Sequence, residues 1–282
     1  MPALTAGLIV ALAAILMTAC ASVPIRNGER SLRVMSYNIE YGHEGLDKVI
    51  AVIREQRPDI VGLQEVDVHW SERSDFADQA ALLAKGTGMS YRFARIYQIP
   101  NADPSKPQRE FGVALLSRYP IVAFTNHNIT RHSTQDSTAA PAPMPGFLEA
   151  TVNANGRTIR VFDVHLDYRR EPEVREKQIE EMLSYMPGDT GQIILTGDLN
   201  ATPNAPELQP LLNRLHDTWP GSGDPGLTFS STKSEKKIDY VLISGRVCPM
   251  RTSVPKVHAS DHFPVVVDLD IGGTCQITRA TR

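Results

Sequence analysis

Apolar and polar side chains alternate through Leu32, Arg33, Val34, Met35 and Ser36, and the run breaks at Asn38, Glu40 and Gly42. That alternation predicts a strand over residues 32–37. Residues 45–57 set Leu46, Val49, Ile50 and Ile53 at helical spacing, and Pro58 stops the helix. Residues 60–63 are a short apolar run ending at Gln64 and Glu65, so strand, helix and strand follow one another and the two strands are expected to be parallel. A second helix is predicted over 75–85, closed by Gly86 and Gly88. Strands follow at 91–99, 111–116 and 121–124, the last two read as a hairpin about residues 117–120. Residues 101–108 hold Pro104 and Pro107 and read as a loop, and residues 130–145 as a long mobile loop over one rim. Asn155-Gly156 marks a hairpin between strands 146–152 and 157–164. Residues 173–186 place Ile179, Met182, Leu183 and Met186 on one helical face. A strand at 192–196, a short helix near 205–212, a strand at 237–243 and a final strand from Val265 complete the pattern. Hairpins mixed with crossovers imply two packed sheets with helices outside.

The chain has 282 residues, 41% hydrophobic and 22% charged, which suits one large domain or two small ones. Its net charge of -3 offers no basic face for gripping nucleic acid, so a stable nucleic-acid complex is not expected, although a transient one is not excluded. Residues 4–19 are apolar, uncharged and short for a membrane span. Small residues before Cys20 resemble a bacterial lipobox, with Met17 where Leu is usual and no Lys or Arg ahead of the apolar run. The expectation is a lipoprotein signal peptide over 1–19, lipidation of Cys20, a polar tether over 20–31, a domain over 32–271 and a tail over 272–282. Such a protein is exported and membrane-anchored through its lipid, periplasmic or at the cell surface. A plain secretory signal or an uncleaved anchor is the alternative. Cys248 and Cys275 are then free to pair in an oxidising compartment, or to stay as two thiols.

Polar residues cluster where the apolar strands end: Asn38 and Glu40; Glu65; Asp163 and His165; Asp198 and Asn200; Asp239; Asp261 and His262. Singly, Asn and Asp cap helices and close turns, and a histidine is commonly a structural hydrogen-bonding residue. Brought together, several carboxylates without matching Lys or Arg repel one another, and a divalent cation relieves that repulsion. An all-oxygen ligand set favours Mg2+ or Mn2+ over zinc. Histidines beside acids are suited to stabilising charge at a phosphoryl group.

Seven stretches in order resemble the motifs of the endonuclease/exonuclease/phosphatase superfamily: residues 36–40, 63–66, 112–120, 163–166, 197–200, 238–240 and 260–264. The resemblance covers about residues 32–270 and implies a four-layered α/β-sandwich of two mixed sheets flanked by helices, as in DNase I. It implies Glu65 as principal metal ligand, helped by Asn38 and Glu40, with Asp261 on the other side. It further implies that Asp198 positions or deprotonates water, that Asn200 and His165 contact phosphate oxygens, and that His262, oriented by Asp239, stabilises the transition state. The reaction implied is in-line attack of water on phosphorus with Mg2+ or Mn2+ as cofactor. Arg109, Arg118, Lys237, Asp163, His69 and Trp70 stand near these motifs and are left outside the catalytic set.

The fold does not choose the substrate. The first reading is a monomeric hydrolase of a small or lipid phosphoester. The second is an exported nuclease for DNA or RNA, and the third a non-catalytic binding module.

Overall fold

The computed structural model describes residues 30–273, apart from 135, 187, 189–190 and 222. Residues 1–29 and 274–282 fall outside it, and with them the expected signal, Cys20, nearly all of the tether and Cys275. Cys248 is disulfide-bonded. Among the described residues, no helix is long and apolar enough to cross a membrane.

Among the described residues, twelve strands form two six-stranded sheets. The first contains β1 (Ser31–Asn38), β2 (Ile60–Val68), β3 (Ser90–Ile99) and β4 (Arg109–Ser117), with β11 (Cys248–Ser253) and β12 (Val265–Asp270), in the order β11-β12-β1-β2-β4-β3. The second contains β5 (Ile121–Arg131), β6 (Ala142–Ala154), β7 (Arg157–His165), β8 (Gln192–Asp198), β9 (His216–Asp217) and β10 (Asp239–Ile243), in the order β5-β6-β7-β8-β10-β9. The parallel pairs are β1 with β2 and β7 with β8, bridged by α1 (Leu46–Gln56) and α3 (Glu173–Tyr185) as crossovers. The remaining pairs are antiparallel, so both sheets are mixed.

Strand periodicity explains the layering. In β1, Leu32 and Val34 join the core between the sheets, while Met35 and Tyr37 pack outward under α1 and α2 (Gln79–Thr87). In β8, Ile194 faces between the sheets, while Ile193 and Leu195 face α3 and α4 (Gln209–Arg214). Both faces are covered, which is why these strands read as continuous apolar runs. The result is the expected four-layered α/β-sandwich.

Toward one end the seam between the sheets turns polar. Asp163 Oδ1 accepts from Gln64 Nε2 at 2.6 Å and from Thr196 Oγ1 at 2.7 Å, and Ser36 Oγ accepts from Gly197 N at 3.0 Å. The sheets approach so closely here that a Cβ on Gly62 would lie 2.0 Å from Thr196 Oγ1.

Several boundaries differ from the expectation. Strands β4 and β5 are not a hairpin: they belong to different sheets, and residues 118–120 carry the chain across the sandwich. The expected loop over 130–145 shrinks to 132–141, because β5 and β6 stay paired out to Arg131 and Ala142. Pro143 and Pro145 obscure that strand. They are tolerated because β6 pairs with β7 only from Phe147 onward, so the proline stretch has a single neighbour. Helix α2 starts at Gln79, four residues later than expected, capped by Asp78 accepting from Ala81 N at 2.9 Å. The Asn155-Gly156 turn stands as expected, with φ of 53° and 79°, the geometry that turn type demands.

Candidate active site

The polar clusters gather at the end of the sandwich where β1, β7 and β8 finish and β10 and β12 begin. Register brings them together: Asp198 is paired with Asp239 on one side and His165 on the other. From the facing sheet, Asn38 ends β1, and Asp261 and His262 precede β12.

Glu65 sits at a bulge where β2 slips against β4 between Leu63 and Val66. Its φ of 59° is left-handed, costing ~1–2 kcal/mol for a side-chain-bearing residue. Such strain is held in place by surrounding structure and is characteristic of functional positions. Asn200, at φ 50°, adopts the same region at lower cost, since Asn tolerates it.

Asn38 ties the two sheets' acids together. Its Nδ2 donates to Glu65 Oε1 and to Asp198 Oδ2, both at 3.0 Å, while its Oδ1 accepts from Glu40 N at 3.0 Å. In this arrangement the amide nitrogen faces the acids, and the oxygen is taken by backbone. Ser260 Oγ donates to Asn38 O at 2.8 Å and accepts from His262 N at 3.1 Å, which locks the Asp261-His262 turn against β1.

His262 and Asp239 are both buried, with Nδ1 of the ring 2.9 Å from Asp239 Oδ2. Its Nε2 lies 3.7 Å from Asp198 Oδ2. Burial alone would lower the His262 pKa, but Asp239, with Asp198 and Asp261 beyond it, outweighs burial and raises it to about 10. The ring is therefore an imidazolium at neutral pH. His165 is the opposite case: burial lowers its pKa, assisted by Arg131 and His262, although Nε2 lies 3.5 Å from Asp198 Oδ2. Asp198 is raised, by burial first and by Asp239 second, and its Oδ1 accepts from Asn200 N at 2.9 Å. Asn200 Nδ2 in turn donates to Leu166 O at 3.1 Å.

Three further carboxylates stand at the mouth. Glu65, Glu40 and Asp261 are all raised, in each case chiefly by burial, and each is pushed further by a neighbouring acid. Among the described residues, no Lys or Arg forms an ion pair with any of them. Half-buried, mutually repelling, oxygen-only donors fit a hard divalent cation. The tightest convergence of metal-binding residue types is a different one, Asp198, Asp239 and His262, with donor atoms within 4.8 Å of one another. There His262 Nδ1 is committed to Asp239 Oδ2, and Asp239 Oδ1, though without a hydrogen-bond partner, is fully buried, so the mouth carboxylates are the better ligand set.

A cleft of about 350 Å³ opens over these groups, lined by Glu65, His165, Asp198, Asn200, Asp261 and His262. All nine catalytic or metal-binding residues expected from the sequence lie in or directly behind it. The cleft also takes in Tyr168, Phe229 and Lys236, which the sequence did not single out. Phe229 packs on the His262 ring with centroids 4.7 Å apart. The marginal residues sort differently. Lys237 is buried, paired with Asp217 at 2.8 Å and 3.5 Å from the Tyr240 ring centroid. Arg118 holds Pro58 O at the far end, Arg109 holds Trp70 O, and His69 contacts Phe76 O. Asp163 belongs to the inter-sheet seam.

The sequence model of the Endonuclease/Exonuclease/phosphatase family matches residues 35–262. No curated protein matches the chain by sequence. Among solved structures, an endonuclease/exonuclease/phosphatase from Beutenbergia cavernae is similar at 25% identity and a TM-score of 0.70, with 87% of this chain and 72% of that chain covered. A mannosyl-6-phosphatase from Bacteroides thetaiotaomicron is similar at 19% identity and a TM-score of 0.61, covering 84% and 99%. The human Nocturnin catalytic domain, with bound sulfate, is similar at 19% identity and a TM-score of 0.62, covering 86% and 93%. The likeness to the last two is one of fold.

Proposed function

The chain belongs to the endonuclease/exonuclease/phosphatase family, and on that premise we propose that it is a Mg2+- or Mn2+-dependent hydrolase of small phosphoesters. The observation that carries the reading is the buried His262–Asp239 pair at 2.9 Å, set over Asp198 beside a cluster of carboxylates that no Lys or Arg of the described residues pairs with.

Each side chain has a task its surroundings support. Glu65, Glu40 and Asp261 would hold the cation, which when bound polarises the phosphoryl group and offsets developing charge. Asp239 accepts the Nδ1 proton of His262, so Nε2–H points to the cleft and donates to a phosphoryl oxygen. Asp198, raised by burial, is suited to take a proton from the attacking water. Asn38 and the Asn200 backbone N–H hold its two oxygens in place. Neutral His165 supplies one N–H without adding charge, and Asn200 lies ready for another phosphate oxygen.

We further read the protein as an exported monomer anchored through a lipid on Cys20.

The test is hydrolysis by the purified domain in Mg2+ or Mn2+ of a phosphomonoester, a phosphodiester, a phospholipid and plasmid DNA, each with an EDTA control. Metal-dependent cleavage of a small ester with DNA untouched is expected. Cleavage of DNA alone would move the assignment to a nuclease, and no cleavage of any would sink it.

A further inference from the structure

Beside the catalytic cleft, and sharing Glu65, His165 and Tyr168 with it, lies a second pocket of about 280 Å³. No catalytic task assigned above uses it. Four of its lining residues are aromatic, and Arg73 and Arg169, paired with Asp67 and Asp167, line it as well. Trp70 and Phe111 lie with centroids 5.9 Å apart, Tyr97 stacks on Phe111 at 6.2 Å, and Tyr168, 74% exposed, stands between the two cavities. Planar faces of this kind suit stacking by a sugar ring or a base.

The pocket is also lined by Arg131, which is only 4% exposed. Its Nη1 donates to His165 O at 2.9 Å and its Nη2 to Gly146 O at 3.0 Å, while Nε finds no acceptor. Two backbone carbonyls leave the charge of the guanidinium unanswered. Among the described residues no carboxylate lies within ion-pair distance of it. Asp167 attracts it from farther off but is itself bound by Arg169. A buried charge without a partner is expensive, and burial lowers the Arg131 pKa to about 10. A cation kept in that condition on the wall of an open pocket is what an anionic ligand would satisfy.

We propose that this pocket receives the part of the substrate beyond the scissile phosphate, a ring carrying a second anionic group, and that Arg131 pairs with that group. The inference rests on the phosphoester-hydrolase reading of the neighbouring cleft. It narrows the substrate from any small ester to a ring-bearing phosphoester with two anionic groups. The volume of about 280 Å³ lies just below the range of drug-sized sites, roughly 300–1,000 Å³, which fits one such ring unit.

Binding is measured by calorimetry in Mg2+ on an Asp198→Asn protein, with hydrolysis followed separately on the wild type. Two probe pairs differ only in the second phosphate: adenosine 3′,5′-bisphosphate against adenosine 5′-monophosphate, and glucose 1,6-bisphosphate against glucose 6-phosphate. The expected result is at least about tenfold tighter binding of the bisphosphate in one pair, lost when Arg131→Met is added. The pair that shows it identifies the ring as base-bearing or as a sugar. Equal affinities within both pairs overturn the proposal, and so does a preference that survives Arg131→Met. If Arg131→Met does not fold, Tyr168→Ala at the exposed rim takes its place. It should weaken both members of the preferred pair by a similar factor, and unchanged affinity overturns the proposal. Should the wild type hydrolyse nothing, the reading of the cleft fails, while the affinity ratios still judge the pocket.

Discussion

Nδ1 of His262 lies 2.9 Å from Oδ2 of Asp239, and the two residues reach one another from different sheets, 23 positions apart in sequence. Asp239 opens β10 and His262 precedes β12, so the contact exists only because the sandwich closes. It fixes which ring nitrogen carries a proton toward the cleft, because Asp239 claims the other.

That fixes the expected effect of Asp239→Asn. An amide removes the charge that holds the ring as an imidazolium, and by presenting its N–H to Nδ1 it can leave Nε2 without a proton to donate. We expect kcat to fall by about 10³–10⁴, with KM changed far less, by analogy with carboxylate-to-amide changes beside a catalytic histidine. Steady-state kinetics on the phosphomonoester check it. A loss below tenfold would mean the pair is structural.

The same pair governs stability against pH. The folded pKa of His262, about 10, lies above its ordinary 6.5. The fold therefore favours the charged ring, and the stabilisation is complete below pH 6.5 and is lost as pH rises toward 10. Urea unfolding of wild type and His262→Gln should show a gap that narrows across this window, by up to about 1.4 kcal/mol per pH unit. A gap that is constant with pH would refute the charge assignment.

The mouth carboxylates give the opposite handle. Glu65, Glu40 and Asp261 are raised in the fold, so their ionisation destabilises the metal-free protein as pH rises above the ordinary carboxylate range. A bound divalent cation offsets that cost. The gain in Tm from Mg2+ or Mn2+ should thus be small near pH 5 and larger near pH 8, roughly 5 °C at a hundredfold excess over Kd. Glu65→Gln should remove most of it. An equal gain in that variant would place the ion elsewhere.

Most of this site was legible in the sequence because its residues terminate apolar strands, and a strand end is visible in periodicity. Asp198 after Ile193, Ile194 and Leu195 is the clearest instance. What was illegible depends on neighbours far away in sequence. Residues 117–120 look like a hairpin turn, and only the sheet assignment of β5 reveals a crossing. Tyr168 and Lys236 sit in loops with no period, so nothing local marks them as lining the cleft. Lys237 follows Lys236 with nothing local to tell the two apart, yet its ammonium is buried against Asp217 and Tyr240. Arg131 was hidden inside a supposed loop that is in fact the end of a strand.

The seam behind the site sets a limit on how the two halves can be held. At Gly62 a Cβ would meet Thr196 Oγ1 at 2.0 Å and Asp163 Oδ1 at 2.5 Å, distances that no rotamer adjustment of a buried hydrogen-bonded pair absorbs cheaply. Gly62→Ala must push β2 from β8 or break the Thr196–Asp163 bond. We expect a loss of about 2 kcal/mol or more, in the range of overpacked cores. Activity should fall further than stability explains, since β2 carries Glu65 and β8 carries Asp198, and Asn38 bridges those two with bonds of 3.0 Å. Chemical denaturation gives the first quantity, and kcat measured well below the melting transition gives the second. A Gly62→Ala protein with wild-type kcat would show that the spacing between the sheets does not set the geometry of the site.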